Sequence, residues 1–96
     1  MQDALEKLVR ALLPVEEEPG LYVGRPAETG WGRIYGGELI AQAAAAASST
    51  VREDRPLRSM HSYFLKPGSL GHPVQYRVET LREGLEISHR RVEAIQ

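Results

Sequence analysis

Between Gly36 and Ser49 the chain reads GGELIAQAAAAASS, a glycine pair and one acid followed shortly by five consecutive alanines. Alanine is the best helix former, and an acid in a first turn complements the helix dipole. The pattern predicts a helix from Glu38 to Ser49. A surface helix of this kind carries Lys and Glu between its alanines, and Ala43 to Ala47 carries none. The run therefore predicts a buried helix, lined with methyl groups on all faces, that lets a sheet come close on several sides. Few folds provide that.

The rest of the chain supplies the partners. Leu5, Leu8, Val9 and Leu12 follow the spacing i, i+3, i+4, i+7, which predicts an amphipathic helix over 3–13 ended by Pro14. PVEEEPG (14–20) reads as a charged, proline-bounded linker, LYVGRP (21–26) as a short strand, AETGWG (27–32) as a loop and STVREDRP (49–56) as a polar loop. The period then changes to two. LRSMHSYFLK (57–66) reads as a strand with both faces partly apolar, stopped by Pro67-Gly68. PVQYRVETL (73–81) puts Val74, Tyr76, Val78 and Thr80 on one face; REG (82–84) is a hairpin turn signal, and EISHRRVEAI (86–95) is the partner strand. A helix, a short strand, a helix and at least three antiparallel strands make an α+β domain, with one helix across a curved sheet.

Composition narrows the function classes. The 96 residues suffice for one small domain, and a net charge of −1 offers no basic face for nucleic acid or an anionic membrane. The absence of cysteine excludes disulfides, zinc ribbons and a cysteine nucleophile. His61, His72 and His89 match no compact metal motif. MQDALEKLVR mixes acids with apolar residues, unlike a signal peptide, and Leu39 to Ala47 is too short to span a bilayer. The expectation is a soluble, cytoplasmic domain. ISHRRVEAIQ ends the chain on a strand-like segment without a following turn, which reads as a stop short of the natural boundary.

Gly36 and Gly37 are the first candidate site. Glycines at a helix start let a ligand approach closely, and the first N–H groups of a helix have no internal partner. They can receive a carbonyl oxygen or an anion, and in acyl chemistry would form an oxyanion-type site; the same pair also serves as a plain turn and cap. Glu38 is a candidate general base, or a solvated acid complementing the dipole. Gln42, one turn on, either orients a water or satisfies a neighbour. His61 has no sequence-adjacent acid or nucleophile, so a packed, hydrogen-bonded histidine is the favoured reading over an acid–base role. His72 and His89 read as loop and exposed-strand residues, Ser48, Ser49 and Thr50 as ordinary helix-end residues, and Arg90-Arg91 as a solvated strand face in preference to a contact for an anionic substrate tail.

GRIYGGELIAQAAAAASSTV, LRSMHSYFLKPG, PVQYRVETLREG and SHRRVEAIQ together resemble the N-terminal half of the acyl-CoA thioesterase II (TesB-type) double-hotdog family. That family's pattern is roughly R-x-[FY]-G-G-Q-x-x-A-Q-A, then S-x-H-x-[YF]-F-L-x-P-G, then R-R-V-x-A-I-Q, and the resemblance runs from about Leu21 to Gln96. It implies a hotdog fold, a central helix wrapped by a curved antiparallel sheet, here lacking its last strand. The domain would span 1–96, with 1–20 as N-terminal helix and linker and 21–96 as hotdog core. It also implies hydrolysis of fatty acyl-CoA to free acid and coenzyme A in lipid metabolism, with no metal or organic cofactor. Glu38 stands where the family usually has Gln. The family's catalytic Asp, with its Thr and Gln partners, belongs to the second half. Single-hotdog relatives place an acid in the helix where this chain has Ala43 to Ala47.

On that basis the Gly37 N–H is expected to polarise the carbonyl and Glu38 to activate water. Gly36, Gln42, His61 and Tyr63 are expected to contact substrate. An open sheet edge predicts a homodimer or pairing with a second hotdog domain. Two alternatives stand beside this: a non-catalytic acyl-CoA-binding or structural half supporting a catalytic partner, and a hotdog hydratase. The hydratase needs an Asp/His pair near the helix, and no Asp follows Asp54.

Overall fold

The computed structural model describes residues 2–11, 13–25 and 34–96; Leu12, Pro26 and the loop expected over 27–32 lie outside them. The elements run α1 (Gln2–Ala11), β1 (Val15–Glu18), β2 (Leu21–Gly24), α2 (Gly36–Ser49), β3 (Val74–Glu83) and β4 (Ser88–Ile95). All four strands form one antiparallel sheet in the order β1-β2-β3-β4. Helix α2 packs against β3 and β4, which is the α+β arrangement the sequence predicts.

Three elements differ from expectation. The segment 14–20 is no linker, since Val15–Glu18 pairs with β2, Val15 opposite Val23. Its three glutamates hide the strand because Glu is depleted in strands. At a sheet edge, fully exposed, those charges instead discourage pairing with another chain. Gly20 makes the turn with φ 83°, a conformation in which a side chain is strained, and its carbonyl accepts the Val78 N–H at 2.7 Å. Residues 57–66 form no strand. Leu57, Met60, Tyr63, Phe64 and Leu65 are all exposed, and no described strand pairs with them. A strand apolar on both faces needs cover on both, and nothing among the described residues supplies it. Helix α1 ends at Ala11, and Leu5 and Val9 on its apolar stripe face solvent.

The β3–β4 hairpin keeps its alternation: Val74 and Tyr76 are buried and Val78 half-buried. Its turn falls later than REG suggests. β3 continues through Glu83, opposite Ser88, and the Gly84 N–H donates to the Ile87 carbonyl at 2.8 Å.

Tyr22, Ile34, Ala46, Val74 and Tyr76 form the core, with Leu39, Ala43, Leu70, Val78 and Val92 packed around them. Glu38, Gln42 and Ala46 are spaced four apart and make one buried stripe along α2. The alanine run is therefore close-packed on one side only, since Ala43, Ala44, Ala45 and Ala47 are half-buried. Gly24 permits the close approach. A Cβ there would collide with the Gln42 amide and lie 2.9 Å from Tyr76 Cε2.

The far end of α2 is held by the hairpin. Arg90 Nε donates to Thr50 Oγ1 at 2.9 Å, and Arg90 Nη2 donates to the Thr50 carbonyl at 3.0 Å and to Glu83 Oε2 at 2.6 Å. A cation at a helix C-terminus meets both the unsatisfied carbonyls and the negative end of the dipole. Arg55 adds bonds to Ser88 Oγ at 2.8 Å and to the Leu85 carbonyl at 2.6 Å. Arg90 is thus not the solvated residue expected, its side chain being 7% exposed, whereas Arg91 remains on the surface. Ser88, Arg90 and Arg55 together hold the Glu83 carboxyl below the ordinary carboxylate range, the Ser88 hydroxyl bond being the largest cause.

Two outcomes are expected. Gly24→Ala overpacks the interface between β2 and α2 and should cost about 1–3 kcal/mol in urea unfolding. Glu83 binds its proton less tightly folded than unfolded, so its stabilisation is present above the unfolded carboxylate pKa. It is lost as pH falls through the lower folded value. Glu83→Gln should therefore flatten the acid limb of stability against pH, read by denaturation between neutral and strongly acid pH.

Candidate functional site

Helix α2 begins at Gly36, so the glycine pair lies in the first turn and not before it. Neither glycine has a positive φ. What the pair supplies is room. A Cβ at Gly37 would lie 3.1 Å from Tyr35 Cζ, and one at Gly36 would lie 3.3 Å from Phe64 Cζ. Two largely exposed aromatic rings therefore stand against the helix start. Tyr35, extended at φ −63° and ψ 128°, gives no side-chain cap. Its carbonyl accepts from Glu38 N at 3.0 Å and Leu39 N at 3.3 Å. The Gly36 and Gly37 N–H groups meet no backbone acceptor among the described residues.

Glu38 is 8% exposed, so it is not an acid at a solvated helix end. Gln42 is fully buried, and its Oε1 accepts the Tyr76 hydroxyl proton in a 2.5 Å bond. Burial, and then the Glu38 charge, push the Tyr76 phenol well above its ordinary pKa. Tyr76 accordingly stays neutral, a donor to Gln42 across the physiological range. The Gln42 oxygen is engaged in the interior, which favours the satisfied-neighbour reading of that residue. Alternation alone puts Tyr76 on the inward face of β3 but does not reveal its bond to Gln42, because a strand pattern carries no information about the helix above it.

His61 and Tyr63 lie on the exposed segment 57–67 and stack on each other, ring centroids 4.8 Å apart and planes at 26°. His61 is thus not the packed histidine expected. From this segment Phe64 is the residue whose ring meets the helix start, a role the sequence reading missed. The periodicity of YFL marks all three residues as apolar without saying which reaches the helix. His72 sits in a turn with Nδ1 3.3 Å from the Leu70 carbonyl, and His89 is exposed on β4. Among the described residues no His, Cys, Asp and Glu cluster is arranged to hold a metal. Elsewhere, Leu13, Val15, Glu17, Val23 and Arg25 line a groove of about 290 Å³. By strand alternation it lies on the sheet face opposite α2.

The comparisons with known proteins agree with this geometry. Residues 25–96 match the family model described as the acyl-CoA thioesterase N-terminal domain. The chain is 41% identical over 96 residues to acyl-CoA thioesterase 2 of Haemophilus influenzae, covering all of this chain and 34% of that protein. It is 36% identical over 96 residues to human acyl-coenzyme A thioesterase 8, covering 30% of it. The solved tesB protein of Mycobacterium avium subspecies paratuberculosis superposes with a TM-score of 0.90 at 37% identity, over 96% of this chain and 37% of that one. The chain thus spans about a third of the length of the relatives it matches. One helix laid on antiparallel strands is the hotdog arrangement expected from the sequence. With a glycine-led helix on such a sheet, and a match across most of its length, the chain belongs to the acyl-CoA thioesterase N-terminal domain family.

Proposed function

We propose that this chain is a hotdog module of an acyl-CoA thioesterase, taking part in hydrolysis of fatty acyl-CoA to free acid and coenzyme A. The observation that carries this reading is the start of α2. Two first-turn glycines present their N–H groups at the helix start, Glu38 follows at once, and the Tyr35 and Phe64 rings pack where side chains on those glycines would lie. An acyl thioester seated there would receive the Gly37 N–H on its carbonyl oxygen, with Gly36 and the Phe64 ring packed on it beside the acyl chain. Donors aimed at that oxygen stabilise the charge that develops on it as water attacks. Glu38 would take the proton from that water. His61 and Tyr63, on the same exposed segment as Phe64, would line the outer part of the acyl path, while Gln42 would hold the inner face of the helix. Hydrolysis by this route calls on no metal or organic cofactor.

We further propose that residues 21–96 are a hotdog core preceded by the 1–20 segment, equivalent to the first half of a double-hotdog protein. The family description and the threefold greater length of the relatives support this. The exposed strip Leu57, Met60, Tyr63, Phe64 and Leu65 supports pairing with a second copy or a second hotdog domain. A cytoplasmic setting fits a chain in which no described helix is long and apolar enough to cross a membrane.

A specific observation favours a second reading, a binding or supporting half without catalysis. Glu38 is packed inside, and the helix stretch Ala43 to Ala47 carries no carboxylate. Release of free thiol from a medium-chain acyl-CoA separates the two. If the catalytic reading holds, Glu38→Gln lowers kcat by about a hundredfold or more with little change in KM. Equal rates remove Glu38 as the base, and binding without thiol release favours the supporting half. For the association, Leu65→Glu buries a charge wherever the strip is covered, so sedimentation should show the variant less associated than the parent.

A further inference from the structure

Gln96 ends the AIQ motif, and the proposed chemistry leaves it unused. Its side chain behaves as a piece of backbone. Ser69 N–H donates to Gln96 Oε1 at 2.7 Å, and Gln96 Nε2 donates back to the Ser69 carbonyl at 2.8 Å and to the His72 carbonyl at 3.2 Å. A primary amide offers an oxygen acceptor and two N–H donors, and all of these are used here. The exchange with Ser69 is the two-bond pairing of opposed residues in an antiparallel ladder, with a side-chain amide standing in for one strand.

What the amide holds leads to the helix start. Gly68, next to Ser69, accepts the Ile34 N–H on its carbonyl at 3.0 Å. A Cβ on Gly68 would lie 2.7 Å from Ile34 Cδ1, so the two segments are in direct contact. Ile34 is buried and precedes Tyr35, whose carbonyl accepts the Glu38 and Leu39 N–H groups in the first turn of α2. A second path runs through Phe64, four residues before Gly68, with its ring against Gly36. Segments from residues 34, 64, 68 and 96 thus converge on one place.

We infer that Gln96 is a positioning residue, whose amide fixes the turn over 68–72 and, through Gly68 and Phe64, sets the walls around Gly36. The positioning role rests on the reading of that region as the acyl-thioester site; the hydrogen-bonded clamp does not. Only a side chain with acceptor and donors at this reach closes it. The substitution Gln96→Glu keeps the acceptor and loses both donors, and Gln96→Leu keeps the approximate shape and loses all three bonds.

The test uses this chain, isotope-labelled for NMR, with a non-hydrolysable thioether analogue of a medium-chain acyl-CoA. In Gln96→Leu, amide exchange at Ser69 should accelerate about tenfold, the worth of roughly one to two net hydrogen bonds. The Gly36 α-proton, shifted by the Phe64 ring, should move, while β3 and β4 amides keep their protection. Analogue binding should weaken by about tenfold. Gln96→Glu should be intermediate, keeping the Ser69 N–H bond and losing the two carbonyl bonds. If Gly36 and Ile34 resonances in Gln96→Leu match the parent, or the analogue binds both equally, the inference is overturned while the site reading stands. If instead the analogue leaves the parent's Gly36 and Gly37 amides unmoved, the site reading fails. Gln96 is then a structural clamp only, and the positioning role is overturned with it.

Discussion

The fold turns on a polar contact at a place where an apolar one would be simpler. The Tyr76 hydroxyl and the Gln42 amide meet in the interior, and Gly24 leaves the room for them. Burying either group alone would cost roughly 1–3 kcal/mol, whereas paired they cost little. The pair also selects one rotation of α2 about its axis. Slide or turn the helix and both groups lose their partner at once, a penalty that methyl packing alone would not impose. With that rotation fixed, Glu38 falls one turn earlier and Ala46 one turn later on the same face. Glu38 is drawn inside by its place on the helix.

The two ends of α2 are tied by different chemistry. Charge holds the C-terminal end, where Arg90 meets Thr50 and Glu83. Neutral hydrogen bonds and ring contacts hold the N-terminal end, through Ile34, Gly68 and Phe64. A carboxylate at a glycine-led helix start would compete for the N–H groups that a carbonyl oxygen needs, and a guanidinium would face the positive end of the dipole. A helix tethered by charge at one end and by neutral hydrogen bonds at the other keeps its position, with Glu38 as the acid of its first turn.

The features legible in the sequence are those set by local periodicity. Val74, Tyr76 and Val78 announce an inward face by alternation, which holds in the structure, and the alanine run announces a close-packed helix, which holds on one side of it only. Family motifs carry the fold further than periodicity can. Partnerships between distant segments are not legible. Nothing in VEEE signals a strand, because its pairing depends on β2 alone and its side chains all face water. The strand pattern of residues 57–66 is real as a pattern but finds no neighbour among the described elements, so the backbone stays unpaired. The burial of Glu38 and the roles of Arg90 and Gln96 escape a sequence reading for the same reason: each depends on a buried face or on a distant segment, as with Arg90 and Thr50 or Gln96 and Ser69.

The exposed strip from Leu57 to Leu65 changes what stability means for this molecule. Together with Leu81, Leu85 and Ile87 at the hairpin end, it leaves much apolar surface outside the core that the described residues build around Tyr22, Ile34, Ala46, Val74 and Tyr76. Any species that covers the strip binds the folded chain in preference to the unfolded one and so enters the folding equilibrium as a reactant. Where such a species is present, the midpoint of unfolding becomes a function of its concentration. A dilute solution reports the floor of that function, and any surface that matches the strip would raise it.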